Sequence, residues 1–162
     1  MQNKKAVSIT ASVFLMIIAL FMTFKSLPIV IYESGGMKFE PSDLTLAEYF
    51  RINANFIPLK SFFDYGNKIA ENRINTSIVI RNIAANLIMF IPIGFLLGIL
   101  KQKYAKVIGI SAAFALFLEV IQLVTKSMTF DIDSVILRAV SASIGFALYM
   151  LCKVIINKFV KY

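Results

Sequence analysis

The sequence predicts an all-α membrane protein with four transmembrane helices. Three observations carry that expectation: an excess of apolar residues, four apolar runs long enough to cross a bilayer, and lysines gathered in the short connections. Of 162 residues, 59% are hydrophobic and only 16% charged; the mean hydropathy is +0.78. Soluble domains carry about 45–50% apolar and about 25% charged residues, so this much apolar surface calls for a bilayer as solvent. The length suits a single integral membrane domain, residues 1–162, with no internal repeat or low-complexity tract.

A helix needs about 20 apolar residues to span the hydrocarbon core. The first run, 6–24, contains no ionisable residue. It exceeds the roughly 7–15 residues of a signal-peptide core, and Lys25-Ser26-Leu27-Pro28 offers no small-x-small cleavage site, so an uncleaved helix is expected. Further spans are expected at 77–100, 107–124 and 135–156. Only residues 101–106 separate the second from the third, which imposes an antiparallel helical hairpin.

Charge sets the orientation. Lys4 and Lys5, then Lys101, Lys103 and Lys106, then Lys153, Lys158 and Lys161 lie in segments without an acid, whereas the long loop 25–76 carries six basic and six acidic residues. The positive-inside rule therefore puts both termini and the 101–106 connection in the cytoplasm and the long loop outside. The net charge of +8 is a topogenic signal, with a contribution from anionic lipid headgroups, and nucleic acid is not an expected partner. Within the loop, Ser42 or Asp43 is the expected N-cap of a short helix. Pro58 restarts the chain ahead of Phe62, Phe63, Tyr65 and Ile69, a pattern expected to lie as short helices in the outer interface.

The absence of histidine removes imidazole ligation and Ser-His or Cys-His catalysis. The lone Cys152 sits in an apolar stretch and reads as membrane packing. Any chemistry falls to carboxylates, amides, hydroxyls and arginine.

Charged groups at the centre of a span cost about 2.5–3.5 kcal/mol each on insertion scales, so they usually face the bundle interior. The spans hold Arg81, Glu119 and Arg138, accompanied by Asn82, Asn86, Gln122, Ser141 and Ser143, while Asp131 and Asp133 stand in the short connection before the fourth span. Alternating helix directions bring these groups from three spans to one level, the outer leaflet. Asn82 and Asn86 are four apart and Glu119 and Gln122 three apart, so each pair shares a helix face. Facing one another, these pairs would close a hydrogen-bonded pocket, with Arg81 or Arg138 as the counter-ion of Glu119. Blander roles stand beside this one: Arg81 snorkelling to the interface, Asp131 or Asp133 capping the fourth helix, and Glu119 in a structural ion pair. Pro92 removes a helical hydrogen bond to the carbonyl of Ile88. Gly94 admits a close neighbour, and Ser141, Gly145, Gly109 and Ala113 are expected close-packing positions.

These residues resemble the VanZ-like family over about 53–147. The resemblance rests on Asn55-Phe-Ile-Pro-Leu-Lys60, on Asn82-Ile-Ala-Ala-Asn86-Leu-Ile-Met-Phe90-Ile-Pro92-Ile-Gly94, on Glu119-Val-Ile-Gln122 and on Phe130-Asp131-Ile-Asp133. The chain departs from the family pattern at Ser127-Met128, where Gly-Arg is usual. It also has Ser134 in place of a second Asp, Arg138 in place of an Asn, and Ala85 in place of a Gly. Arg138 is expected to supply the positive charge missing at position 128. The resemblance implies a multi-pass protein of the bacterial cell membrane that lowers susceptibility to the lipoglycopeptide teicoplanin. The Lys-, Ile- and Asn-rich composition is compatible with a low-GC Gram-positive source.

Three functions fit these residues. The first is an envelope protein whose outer-leaflet pocket engages a membrane lipid, a lipid-linked cell-wall precursor or a lipoglycopeptide, with Arg81, Asn82, Asn86, Gln122 and Arg138 as binding groups. The second is a membrane enzyme in which Glu119, Asp131 and Asp133 supply acid–base groups, or oxygen ligands for Mg²⁺, at a phosphorylated lipid; outside this reading no cofactor or metal is expected. The third is a small transporter or flippase, which four helices would support only as an oligomer. Nothing in the sequence sets the oligomeric state.

Overall fold

The computed structural model describes residues 2–25 and 43–159. Among these residues, six helices and two short strands follow in the order α1 Gln2–Lys25, α2 Leu46–Asn53, β1 Ala54–Asn55, α3 Lys60–Ala70, α4 Thr76–Ile99, α5 Tyr104–Val124, β2 Phe130–Asp131 and α6 Ile132–Phe159. Four of them, α1, α4, α5 and α6, are long and apolar enough to cross a membrane. The helices run a few residues beyond most of the apolar windows, because capping and turn residues continue each helix past its hydrophobic part.

Polarity inside the spans is hidden locally. Thr10, Ser12 and Thr23 in α1, and Ser143 in α6, donate their hydroxyls to the carbonyl four residues earlier, which satisfies them without a partner helix. The most extensive packing is α4 against α6, followed by α5 against α6, with α1 laid on α4. Phe90, Ile93 and Leu97 of α4, Val107, Ala115 and Leu118 of α5, Val135 and Ala142 of α6, and Met22 of α1 form the buried core.

Small residues set the α4–α6 approach. A side chain added at Gly94 would strike the backbone of Ala142, and one at Gly145 the backbone of Ile91. The Ser141 hydroxyl donates to the Leu87 carbonyl, tying α6 to the turn of α4 that precedes Pro92. Gly109 does not have the expected packing role: nothing approaches it, and Ala113 is exposed. The face of α5 turned inward is instead Val107, Ser111, Ala115 and Leu118, two residues from the pair expected and so on roughly the opposite side of the helix.

Three helices end alike. Asn72, Lys101 and Lys126 adopt the left-handed conformation, and the paired bonds Arg73 N to Lys68 O, Gln102 N to Leu97 O and Ser127 N to Gln122 O close the turns after α3, α4 and α5 in the Schellman manner. Among the described residues, the segment between α1 and α4 contains two short helices. Its first cap is not Asp43: Thr45 caps α2 in a reciprocal capping box with Glu48, the Thr-x-x-Glu arrangement that satisfies two orphan donors together. Ser42, the other expected cap, lies outside the described residues. The hydrogen bond from the Thr45 side chain holds the Glu48 carboxyl below its ordinary value.

β1 and β2 pair in parallel, Ala54 with Phe130 and Asn55 with Asp131. This bridge docks the 43–75 segment onto the α5–α6 connection. A satellite cluster of Tyr49, Leu123 and Phe130 lies beneath it, and the Phe56 ring sits 5.0 Å from that of Phe130. Lys126 donates from Nζ to the Leu44 carbonyl at 2.5 Å.

The two glycines make opposite predictions for thermal unfolding in detergent. Gly145→Ala should destabilise by about 1–3 kcal/mol through overpacking, whereas Gly109→Ala should be neutral or raise stability by up to about 1 kcal/mol through helix propensity. Equal effects of the two substitutions would contradict the close α4–α6 contact.

Candidate functional site

Residues from α4, α5 and α6 meet beneath the docked segment. Glu119 and Arg138 form an ion pair, Oε1 to Nη1 at 2.8 Å, with their side chains only 2% and 11% exposed. Arg138 Nε donates to Asn86 Oδ1 at 2.8 Å, and its Nη1 also reaches the Ala115 carbonyl at 3.4 Å. The guanidinium carbon lies 5.8 Å from the centroid of the Phe90 ring, a cation–π distance. The second carboxylate oxygen of Glu119 accepts the backbone N–H of Asp131 at 2.9 Å. Charge neutralisation and hydrogen bonding are both needed to hold ions away from water, and this pair has both.

Asp131 continues the network toward the surface. Its Oδ1 accepts from the Asn55 side-chain amide at 3.0 Å and from the Asp133 N–H at 3.1 Å, and its Oδ2 accepts the Ser61 hydroxyl at 2.7 Å. The bond to Asp133 N makes Asp131 the residue that caps α6. Asp133 points the other way and receives the backbone N–H groups of Leu59 at 2.5 Å and Ser61 at 2.9 Å. Leu59 carries φ 68°, a left-handed conformation that costs a branched residue about 1–2 kcal/mol. That turn aims both N–H groups at one carboxylate, a backbone nest at the start of α3, and the charged hydrogen bonds offset the strain. Asp133, 3% exposed, thus holds the 59–61 turn against the bundle.

Two spaces adjoin this network. A cavity of ≈ 20 Å³, room for about one water, is bordered by Ser61, Tyr65, Asn86, Asp131, Asp133 and Ser134 among others. Ser61, Tyr65 and Asp131 also line a larger polar groove of ≈ 310 Å³ whose other walls include Asn53, Asn55, Lys60, Asp64, Lys68 and Thr129. The buried arginine's partner Asn86 therefore borders space that shares walls with the surface groove.

Of the residues expected from sequence, Glu119, Arg138, Asn86, Asp131 and Asp133 are brought together. Arg81 is not the counter-ion of Glu119: it is exposed near the start of α4, as expected for a side chain that snorkels. The Asn82 side chain lies outside the described residues. Gln122 is buried on the Glu119 face, but among the described residues its side-chain amide takes no part in the ion-pair network; its backbone carbonyl accepts the Thr125 and Ser127 hydroxyls. Among the described residues no group of three or more His, Cys, Asp or Glu is placed to hold a metal ion. Asn55 and Ser61 join the site without having been expected there, and Tyr65, expected as an interfacial aromatic, borders both spaces. Asn55 stood inside the first quoted motif, and Ser61 directly followed it, which was the one signal available.

Four membrane-length helices with a buried ionic network at one end define a multi-pass membrane protein. Comparison with known protein families matches VanZ/LLP1 over residues 12–153, and the chain belongs to that family. The match is wider than the motif-bearing region and takes in most of α1. Membership suggests a membrane protein linked to glycopeptide resistance. No curated protein and no solved structure matches the chain.

Removing one partner of a buried pair leaves a bare charge and costs about 3–5 kcal/mol. Glu119→Gln and Arg138→Met should each lower stability in detergent by that order, and the double variant by clearly less than the sum. Additive losses would mean that the two groups do not interact.

Proposed function

We propose that this protein protects the bacterial envelope against lipoglycopeptides such as teicoplanin. In this reading the polar site lies in the outer leaflet of the cell membrane and engages a lipid, a lipid-linked cell-wall precursor or the antibiotic's lipid tail. One observation carries the reading: Asn86 and Asp131, the hydrogen-bond partners of the buried Arg138 and Glu119, both border a small cavity. A purely structural pair gains nothing from a cavity beside it, whereas a binding site needs one. The lysine distribution supports the outer placement, since the connections and tails rich in lysine lie at the other ends of the spans. Family membership supports the link to resistance.

Arg138 replaces the basic residue that relatives carry before the Phe-Asp element. Met128, at that position, is 50% exposed, while Arg138 reaches Glu119 from the next helix. In this protein the charge is supplied from α6, so reversing it by Arg138→Glu should disable the site as fully as loss of Glu119.

A second reading, a membrane enzyme acting on a phosphorylated lipid, is favoured by the position of Asp131, which borders both the cavity and the groove. Of Glu119, Asp131 and Asp133, Asp131 alone lines both spaces, which puts it in reach of a ligand and makes it the candidate oxygen donor for Mg²⁺. Turnover of polyprenyl or glycerol phospholipids that a chelator abolishes would favour this reading over the first.

In a teicoplanin-susceptible host, expression of the protein should raise the inhibitory concentration. Glu119→Gln should abolish that protection with folded protein still present by size-exclusion chromatography, and Asn55→Ala should weaken it without affecting folding. Full protection from folded Glu119→Gln protein would contradict the proposal.

A further inference from the structure

The ≈ 310 Å³ groove has a charge arrangement that the resistance reading does not use. Lys60, Asp64 and Lys68 follow one another at intervals of four along α3 and line the groove together, within a span of about 12 Å at 1.5 Å per residue. All three are exposed, and among the described residues none forms an ion pair. Four-residue spacing places Asp64 within reach of either lysine, yet the three side chains stay apart. The rest of the polar lining includes Asn53, Asn55 and Thr129, with Asp131 as a second carboxylate beside Asp64. The other side of the same segment is apolar: Phe56 is 54%, Ile57 62% and Phe63 70% exposed, a surface suited to the membrane interface. A polar trough with two unpaired lysines therefore opens beside aromatic side chains placed to sit among acyl chains.

We propose that this groove binds the phosphate-bearing headgroup of a membrane lipid. Lys60 and Lys68 hold the phosphate, Asn53, Thr129 and Asp64 take hydroxyl or amine groups of the same headgroup, and the acyl chains lie along Phe56, Ile57 and Phe63. Lysine serves here as a flexible point charge toward phosphate. Tyr65 and Ser61, shared with the inner cavity, place the bound headgroup next to Asp131. The inference deepens the proposed function by naming the ligand class, and it rests on that reading only for its relevance to resistance.

The test is native mass spectrometry of the full chain in an uncharged detergent, titrated with dihexanoyl phosphatidylglycerol, glycerol phosphate or inorganic phosphate. The lipid should bind, and Lys60→Gln/Lys68→Gln should weaken binding about 30-fold, as expected from about 1 kcal/mol for each lysine near an anionic lipid. Lys153→Gln/Lys158→Gln, which removes equal charge from α6, should leave the affinity unchanged. Equal weakening by both double variants, or none by the first, overturns the site. Binding of inorganic phosphate as tight as that of the lipid overturns the lipid as ligand. Since all four lysines are exposed, helicity by circular dichroism should stay at the parental value in both variants. Lipid binding that follows this pattern while Glu119→Gln retains teicoplanin protection removes the resistance reading and leaves the groove; the opposite pair of results does the reverse.

Discussion

The ion pair between Glu119 and Arg138 is the constraint from which the rest of the architecture follows. Each charge alone would cost about 2.5–3.5 kcal/mol at the centre of a span, so α5 and α6 gain most when those two side chains meet. Once they do, the remaining hydrogen-bonding capacity recruits neighbours. The free edge of the guanidinium brings in Asn86 and with it α4. The second carboxylate oxygen takes the N–H of Asp131, which fixes where α6 begins and aligns β2 with β1. An interaction between two helices thereby positions a segment about 60 residues upstream of Glu119.

The close helix contact and the polar site depend on each other. Glycine at 94 and 145, with Ser141 and Ala142 between them on the facing surface, lets α4 and α6 approach backbone to backbone. That approach leaves Arg138, one turn before Ser141, near enough for a direct bond to Asn86. Larger residues along the stripe would separate the helices and leave both polar groups unsatisfied in an apolar medium, where water cannot substitute. Asp131 and Asp133 then divide two tasks. One caps its own helix and gathers Asn55 and Ser61; the other fastens the 59–61 backbone. Apart from Tyr49, the docked segment is held by carboxylates more than by apolar burial, which is why Phe50, Phe56, Phe62 and Phe63 remain exposed.

Much of this was legible in the sequence, for identifiable reasons. Long apolar runs reported the four spans, and the cost of charge in hydrocarbon singled out Glu119 and Arg138. The choice between Arg81 and Arg138 was not legible, because both stand a turn or two from the start of their helices and only the rotation of each helix decides. The same rotation separates Ser111 and Ala115, which are buried, from Gly109 and Ala113, which are not. Asn55 and Ser61 meet Asp131 across 76 and 70 residues, beyond the reach of any spacing argument. The Thr45–Glu48 capping box is a local Thr-x-x-Glu pattern visible in the sequence, and its two reciprocal bonds make Thr45 a better cap than Asp43.

The most direct measurement is solid-state NMR distance recoupling in lipid bilayers between the ¹⁵N-labelled arginine guanidinium groups and ¹³C-labelled glutamate carboxylates. A Glu71→Gln background removes the other ion pair among the described residues, Arg73 with Glu71. Strong dephasing at the Arg138 resonance, lost in Glu119→Gln, is the result expected of groups in direct contact. An Arg138 signal untouched by glutamate carbon would show the two charges apart in the bilayer, and the site built on them would not stand.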